Sequence, residues 1–452
     1  MCNKEKFLDD LRSLVGIESV RTEEEDGAPF GKNCALALSE ALAICGRLGL
    51  ETENISNRVG VAYAGEGEVK LAILAHLDVV PAGGGWSTAP FTLEVDDKNI
   101  YGRGVADDKG PALAAIYALA EAKRLCPGMK SKCAVILGTA EETGGDDIGY
   151  YFREKGVPPM VFTPDADYPV INTEKGRYAP IFEGKYQSDF IEYFCGGDTV
   201  NAVPGTAVCV LRNVSAGDAE SAAKSAEAKT GASITVTERD DASIVLECAG
   251  KRAHGAFPEN GCNAVTALLC AVCMLNVNDD LLDCLRALSL SVPHGDVNGK
   301  CIGISVMDEL SGALTLNFGT LKYENNVLSG SFDIRYPVCC DGEMLRRVVD
   351  NELSSDGLNV KSFSYSRAHH VPEDSVLVSK LLDVWEEFTG KKGSCLSTGG
   401  GTYVHDIPTG VAFGCTMPGV DNHMHGPDEF MSLDDLMLSI KMFTRIITDL
   451  CA

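Results

Sequence analysis

Five short segments place acidic or histidine side chains at the C-terminal end of a predicted strand or in a loop. They are His76-Leu77-Asp78, the stretch Tyr101–Gly110 with adjacent Asp107 and Asp108, the pair Glu141-Glu142, the triplet Asp165-Ala166-Asp167, and His423-Met424-His425. Imidazole and carboxylate are the ligands of hydrolytic divalent metals. A glutamate left unligated beside another can serve as general base on an activated water. Each segment has a plainer reading when taken alone. H-x-D is common in solvated turns, and an aspartate before Pro111 suits a helix N-terminus. Paired glutamates often do no more than solvate a surface, and His423 reads as an exposed loop residue. As a set they offer His, Asp, Glu, Asp and His, in that order, enough for two metal sites if one aspartate is shared. Asp78, two residues after His76, is placed to hold the second ring nitrogen of that imidazole.

The elements that must bring these segments together alternate in type. Lys70–His76, Lys132–Thr139 and Met160–Thr163 are continuous apolar runs, as in strands buried on both faces. Lys4–Val15, Cys34–Leu48 and Pro111–Leu125 repeat apolar residues at helical spacing. In a parallel sheet covered by helices, ligands bind beyond the carboxyl ends of the strands, where three of the five segments begin. Between residues 188 and 336 the pattern changes to period-two alternation, which predicts half-buried antiparallel strands. A strand–helix–strand echo recurs there, at 207–237 and 329–365. Helical and apolar runs return at Val376–Thr389, Gly410–Cys415 and Leu433–Leu450. The predicted fold is α/β: a mainly parallel, helix-covered catalytic sheet with an inserted two-lobed α+β lid domain. Its divisions are 1–176 and 370–452 for the catalytic domain and 177–369 for the lid.

Bulk properties narrow the partners. The 452 residues exceed what one core usually organises. A formal charge of −26 disfavours nucleic acid and anionic membranes, which need clustered Lys and Arg. No run approaches the roughly 18 apolar residues of a membrane span, and the charged N-terminus shows no signal peptide, so a cytoplasmic protein is expected. The eighteen scattered cysteines predict small buried apolar residues rather than a disulfide scaffold.

Taken in order, the five segments resemble the co-catalytic zinc exopeptidases, a family that includes carboxypeptidase G, aminoacylase and succinyl-diaminopimelate desuccinylase. Phe162–Asp167, Gly399–Tyr403 and the long middle segment are most similar to its PepV branch of bacterial dipeptidases. The resemblance implies two divalent metal ions, zinc with manganese or cobalt as alternatives, and hydrolysis of dipeptides by a monomer. It implies that His76 and Asp165 hold one ion, Glu142 and His425 the other, and that Asp107, joined to Asp108 by a cis peptide, bridges them. Glu141 becomes general base and acid, and Asp78 the orienting partner of His76. His254, within Lys251–Pro258, becomes a lid residue that stabilises the oxyanion. Asn201, Arg335, Gly400, Gly401 and Thr402 become contacts to a small peptide substrate. His405 stands where that branch usually carries arginine. An N-acyl amino acid deacylase of the same family is the alternative activity, and a non-catalytic peptide-binding protein is a rival from another class.

Overall fold

The computed structural model describes residues 3–452, which divide into two compact units. The first comprises residues up to Thr173, His370–Leu396 and Gly401–Ala452; the second comprises Glu174–His369 and Ser397–Gly400.

The first unit is built on a mixed sheet. Its spatial order begins Glu51–Ile55, Val59–Ala64, Lys132–Gly138, Val69–His76, Met160–Thr163, Gly410–Ala412. The centre is parallel: Val69–His76 pairs with Lys132–Gly138 and with Met160–Thr163, which pairs with Gly410–Ala412. The flanks are antiparallel, at the hairpin Glu51–Ala64 and where Ala412 meets Ile171. Alternate residues of the central strand serve two faces, as strand geometry requires. Leu71, Ile73 and Ala75 join a core with the helices Lys4–Val15, Lys32–Arg47, Lys109–Leu125, Val376–Thr389 and Leu433–Cys451. Ala72 and Leu74 point the other way, among Ile136, Ile148, Tyr151, Val404 and Ile407. Both faces are therefore dry, which explains why the strand carries no alternation in polarity.

The second unit is an eight-stranded antiparallel sheet, in the order Ser233–Glu238, Ile244–Ala249, Thr206–Leu211, Ile191–Gly196, Thr315–Glu324, Val327–Tyr336, Gly176–Lys185, Asn359–Ser366. One face carries Phe182, Phe318, Phe332 and Ile334 into a core with the helices Ala216–Thr230, Ala264–Val272, Asp280–Ser291 and Gly342–Ser355. Asp333 and Arg335 alternate with Phe332 and Ile334, so they occupy the opposite, polar face. The strand–helix–strand echo is present, and its two copies lie on the two sides of this one sheet. In each copy the second strand pairs not with its own first strand but with a third one.

All seventeen cysteines among the described residues are free. No helix among the described residues is long and apolar enough to cross a membrane.

Candidate metal centre

Three of the five segments sit where the apolar pattern predicts, at or just beyond the ends of central strands of the first unit. His76 closes the strand Val69–His76, Glu141 and Glu142 open a short 3-10 turn after Lys132–Gly138, and Asp165 follows Met160–Thr163. Asp107 lies on the loop before the helix Lys109–Leu125, and His425 in a turn before the strand Phe430–Ser432.

Their ligand atoms converge in two groups, His76–Asp107–Asp165 and Asp107–Glu142–His425. Asp107 belongs to both and splits its oxygens between them. Oδ1 lies 2.9 Å from His76 Nε2, and Oδ2 lies 2.9 Å from His425 Nε2. Asp165 Oδ2 is 3.5 Å from His76 Nε2, and Glu142 Oε2 is 3.1 Å from His425 Nε2. Glu141 joins neither group among the described residues.

Second contacts set the imidazole of His76. Its Nδ1 is 3.0 Å from the main-chain carbonyl of Asp78 and 3.4 Å from Asp78 Oδ1. A proton on Nδ1 donated to that carbonyl leaves Nε2 with its lone pair facing Asp107 and Asp165, the tautomer a metal ligand needs. Asp78 is thus beside the imidazole as expected, but its carboxylate has a further task. Oδ1 accepts the N–H of Glu141 and Oδ2 that of Glu142, each at 3.1 Å, which fixes the turn carrying both glutamates.

Asp108 occupies the N-cap position of its helix without bonding the helix N–H groups; its Oδ2 instead accepts the main-chain N–H of His76 at 3.0 Å. The helix-capping account of Asp108 is corrected accordingly. The Asp107–Asp108 peptide is cis.

Charge at this point of the fold is unbalanced. Asp107, Asp165, Glu141 and Glu142 surround two imidazoles, and burial raises the carboxyls of Asp165, Glu141 and Glu142. Burial also pushes Asp107 up, yet the imidazoles of His425 and His76 beside it outweigh burial and hold it below the usual carboxylate range. The carboxylates of Asp107 and Glu142 push His425 up to about 10. For His76, burial works against the proton, but Asp107, Asp165 and Asp78 outweigh it and raise the imidazole well above its ordinary value. The two raised imidazoles show that the carboxylates around them favour positive charge at this point. Two atoms sharpen the point: His76 Nε2 and Glu142 Oε1 are buried with no well-directed hydrogen bond. Lone pairs brought close without bonding one another fit cations placed between them, so the residues present suit a pair of divalent metals.

Glu429 had no role assigned from sequence, and it organises the centre. Fully buried, it accepts N–H bonds from Gly104, Ala106 and Asp107 at 2.9–3.2 Å. Its charge is met by Arg103 Nη1 at 2.6 Å, and Arg103 Nη2 reaches the carbonyl of Gly426 at 3.1 Å. The turn bearing His425 is thereby tied to the loop bearing Asp107. Gly104 makes this approach possible, with φ of +88° and side chains of Val79 and Lys109 about where a Cβ would go. Behind the glutamate pair, buried Asp147 accepts the N–H groups of Thr139 and Ala140, both at 2.8 Å, and the hydroxyl of Tyr403. Local cues existed for both: an acidic residue four positions after His425 and another shortly after the glutamate pair. Neither cue reveals main-chain N–H groups brought near by folding.

The remaining expected site residues lie mostly in the second unit. Asn201, His254, Arg335 and Gly400 are there, whereas Gly401 and Thr402 fall in the first. Within the second unit, Asn201 and His254 flank one another through the two-strand pairing of Ala202 with His254, and the Asn201 carbonyl accepts the Gly255 N–H at 2.7 Å. Ala256 donates its N–H to His254 Nδ1 at 3.2 Å. Arg335 is largely committed to its own unit: Nε and Nη2 bond Asp333, and Nη1 bonds the carbonyl of Gly399, all at 3.0 Å.

Residues 72–449 match the profile of Peptidase family M20/M25/M40. The chain is 34% identical to the putative dipeptidase YtjP of Bacillus subtilis, over 99% of this chain and 97% of that one. It is 35% identical to the Beta-Ala-Xaa dipeptidase of Lactobacillus delbrueckii subsp. lactis, over 99% and 96%. In fold it is similar to human carnosine dipeptidase 1, with a TM-score of 0.61 at 14% identity over 99% and 96% of the two chains.

Proposed function

The chain belongs to peptidase family M20/M25/M40, and we propose that it cleaves the peptide bond of dipeptides, with broad specificity, by means of two divalent metal ions. The observation that carries this reading is Asp107, which offers one oxygen to each of two histidine–carboxylate groups. His76 and Asp165 would hold one ion, Glu142 and His425 the other, with Asp107 between them; zinc suits these ligands, as do manganese and cobalt. Such ions supply Lewis-acid chemistry, lowering the pKa of a water and polarising a carbonyl.

Glu141, free of the ligand groups, takes the proton of the attacking water and returns it to the leaving amine. Asp78 holds Glu141 by its main chain, so the base is oriented by the same carboxylate that sits beside His76. The second unit acts as the lid domain. Because His254 Nδ1 accepts from Ala256, the neutral ring carries its proton on Nε2, and that N–H is the donor for the oxyanion. Asn201, Arg335, Gly400, Gly401 and Thr402 contact the peptide. We read the protein as a cytoplasmic monomer, since the inserted unit by itself carries His254, Asn201 and Arg335.

A substrate panel tests the reading. Dipeptides, tripeptides and N-acetyl or N-succinyl amino acids are offered to the chelated protein with and without added metal. Metal-dependent cleavage concentrated on dipeptides is expected; turnover of acyl amino acids alone would defeat the dipeptidase assignment.

A further inference from the structure

Four consecutive main-chain N–H groups lead from the strand Lys132–Gly138 into the turn that carries Glu141, and two buried carboxylates take all four. Asp147 Oδ2 accepts from Thr139 and Ala140, each at 2.8 Å. Asp78 accepts from Glu141 and Glu142, each at 3.1 Å. The turn has no side-chain cap at Ala140, so these two acids satisfy the donors that a capping residue would otherwise meet. Asp78 is tied to the ligand groups through His76. Asp147 belongs to neither group and stands five residues beyond Glu142.

Asp147 is nonetheless joined to the centre by one side chain. Its Oδ1 accepts the Ile148 N–H at 2.7 Å, and its Oδ2 takes a third donor, the hydroxyl of Tyr403. The Tyr403 ring stands edge-on to the imidazole of His76, with centroids 6.0 Å apart and planes at 85°. Tyr403 therefore runs from the His76 ring to the carboxylate that holds the approach to Glu141. Gly138 leaves room for this arrangement. It is the register partner of His76, and a Cβ there would fall 2.1 Å from the Tyr403 hydroxyl oxygen and 2.8 Å from Asp147 Oδ2. Any side chain at this position would displace the pair.

We propose that Asp147 is a positioning residue for the general base: linked to His76 through Tyr403, it fixes the main chain at Thr139 and Ala140 and so holds the Glu141 carboxylate in place beside the ligand groups. This rests on the role given to Glu141 in the dipeptidase reading above. The two acids then divide one task, Asp78 holding the N–H of Glu141 itself and Asp147 the two residues before it. Proton transfer is sensitive to such placement, since a displacement of about 1 Å costs about a hundredfold in rate. Substrate affinity is not expected to follow, because Asp147 is outside the expected substrate contacts.

The test measures kcat, KM and bound zinc for Asp147→Ala, Asp147→Asn and Tyr403→Phe on one dipeptide. Asp147→Ala should lower kcat about ten- to a hundredfold, with KM and zinc content little changed. Asparagine should recover most of that loss, because its amide oxygen can still accept from Thr139 and Ala140. Tyr403→Phe keeps the ring and removes one hydrogen bond, so kcat should fall about two- to tenfold. Combined with Glu141→Gln, Asp147→Ala should leave the residual turnover unchanged, because no base remains to be misplaced. Wild-type kcat in Asp147→Ala, or the same factor lost with and without Glu141, would overturn the proposal. Zinc content falling in step with kcat would also overturn it, by placing the effect on the ligands. If melting curves show that Asp147→Ala does not fold, Tyr403→Phe with and without Glu141→Gln decides by the same criteria. Wild-type protein that cleaves no dipeptide would instead sink the underlying reading, so the two failures are distinguishable.

Discussion

At the residue scale, the ligand candidates were legible because their types are poor choices for the places they occupy. A histidine or aspartate ending an apolar strand contributes nothing to a core, so His76, Asp165 and the Glu141-Glu142 pair stood out. What could not be read was how each is held. Asp78 and Glu429 act on main-chain N–H groups, which every residue possesses and no sequence pattern marks. Two predictions belong here. Glu141→Gln keeps the shape of the side chain and removes the base; kcat should fall by about a hundred- to ten-thousandfold while two metal ions are still bound. Normal turnover with full metal content would refute the role. Glu429→Gln turns an NH2 toward the donors of Gly104, Ala106 and Asp107, misplacing the loop that carries Asp107. Competition with a chromophoric chelator should show metal affinity reduced by about ten- to a hundredfold. Unchanged affinity would mean that the bonds to Glu429 do not set the ligands.

At the element scale, strands and helices with strong periodicity lay close to their expected bounds. Met160–Thr163 and Val376–Thr389 coincide, and Lys132–Gly138 ends one residue early. The misreadings have local causes. The hairpin Glu51–Ala64 is short and its first strand is exposed along most of its length, so little pattern marks it. It also makes the first sheet mixed at its edge. The helix Asp280–Ser291 did carry a signal, an Asp279 cap with Leu281, Leu285 and Leu288 at helical spacing, and remained unassigned between two strand-rich stretches. Asp308 offers a pH test of a turn. Burial opposes its charge, but the N–H groups of Ser311 and Cys339 and the Ser311 hydroxyl outweigh burial and hold its carboxyl at about 2, against an ordinary 3.8. A folded-state value below the unfolded one stabilises the protein above the unfolded value, and that contribution disappears as pH falls through the folded value. The stability advantage of wild type over Asp308→Asn should therefore shrink between about pH 4 and pH 2 in denaturant titrations. A constant difference would contradict the assignment.

At the scale of the whole molecule, two cores and a discontinuous first unit follow from one feature of the sequence. The apolar style of the first third returns after Pro372, with period-two strands between. That return was readable; the grouping of Ser397–Gly400 with the second unit was not, because it depends on bonds such as Lys175 N–H to the Thr398 carbonyl. Function rests on the proposal that carboxylates and imidazoles from distant stretches hold two adjoining cations through Asp107 and that hydrolysis depends on both. The most direct measurement is a stepwise titration of the chelated protein with zinc, following bound metal and dipeptide hydrolysis together. Binding should saturate at two ions per chain, and activity should reach its full value only as the second site fills. Saturation at one ion, or hydrolysis that survives complete removal of metal, would contradict the account.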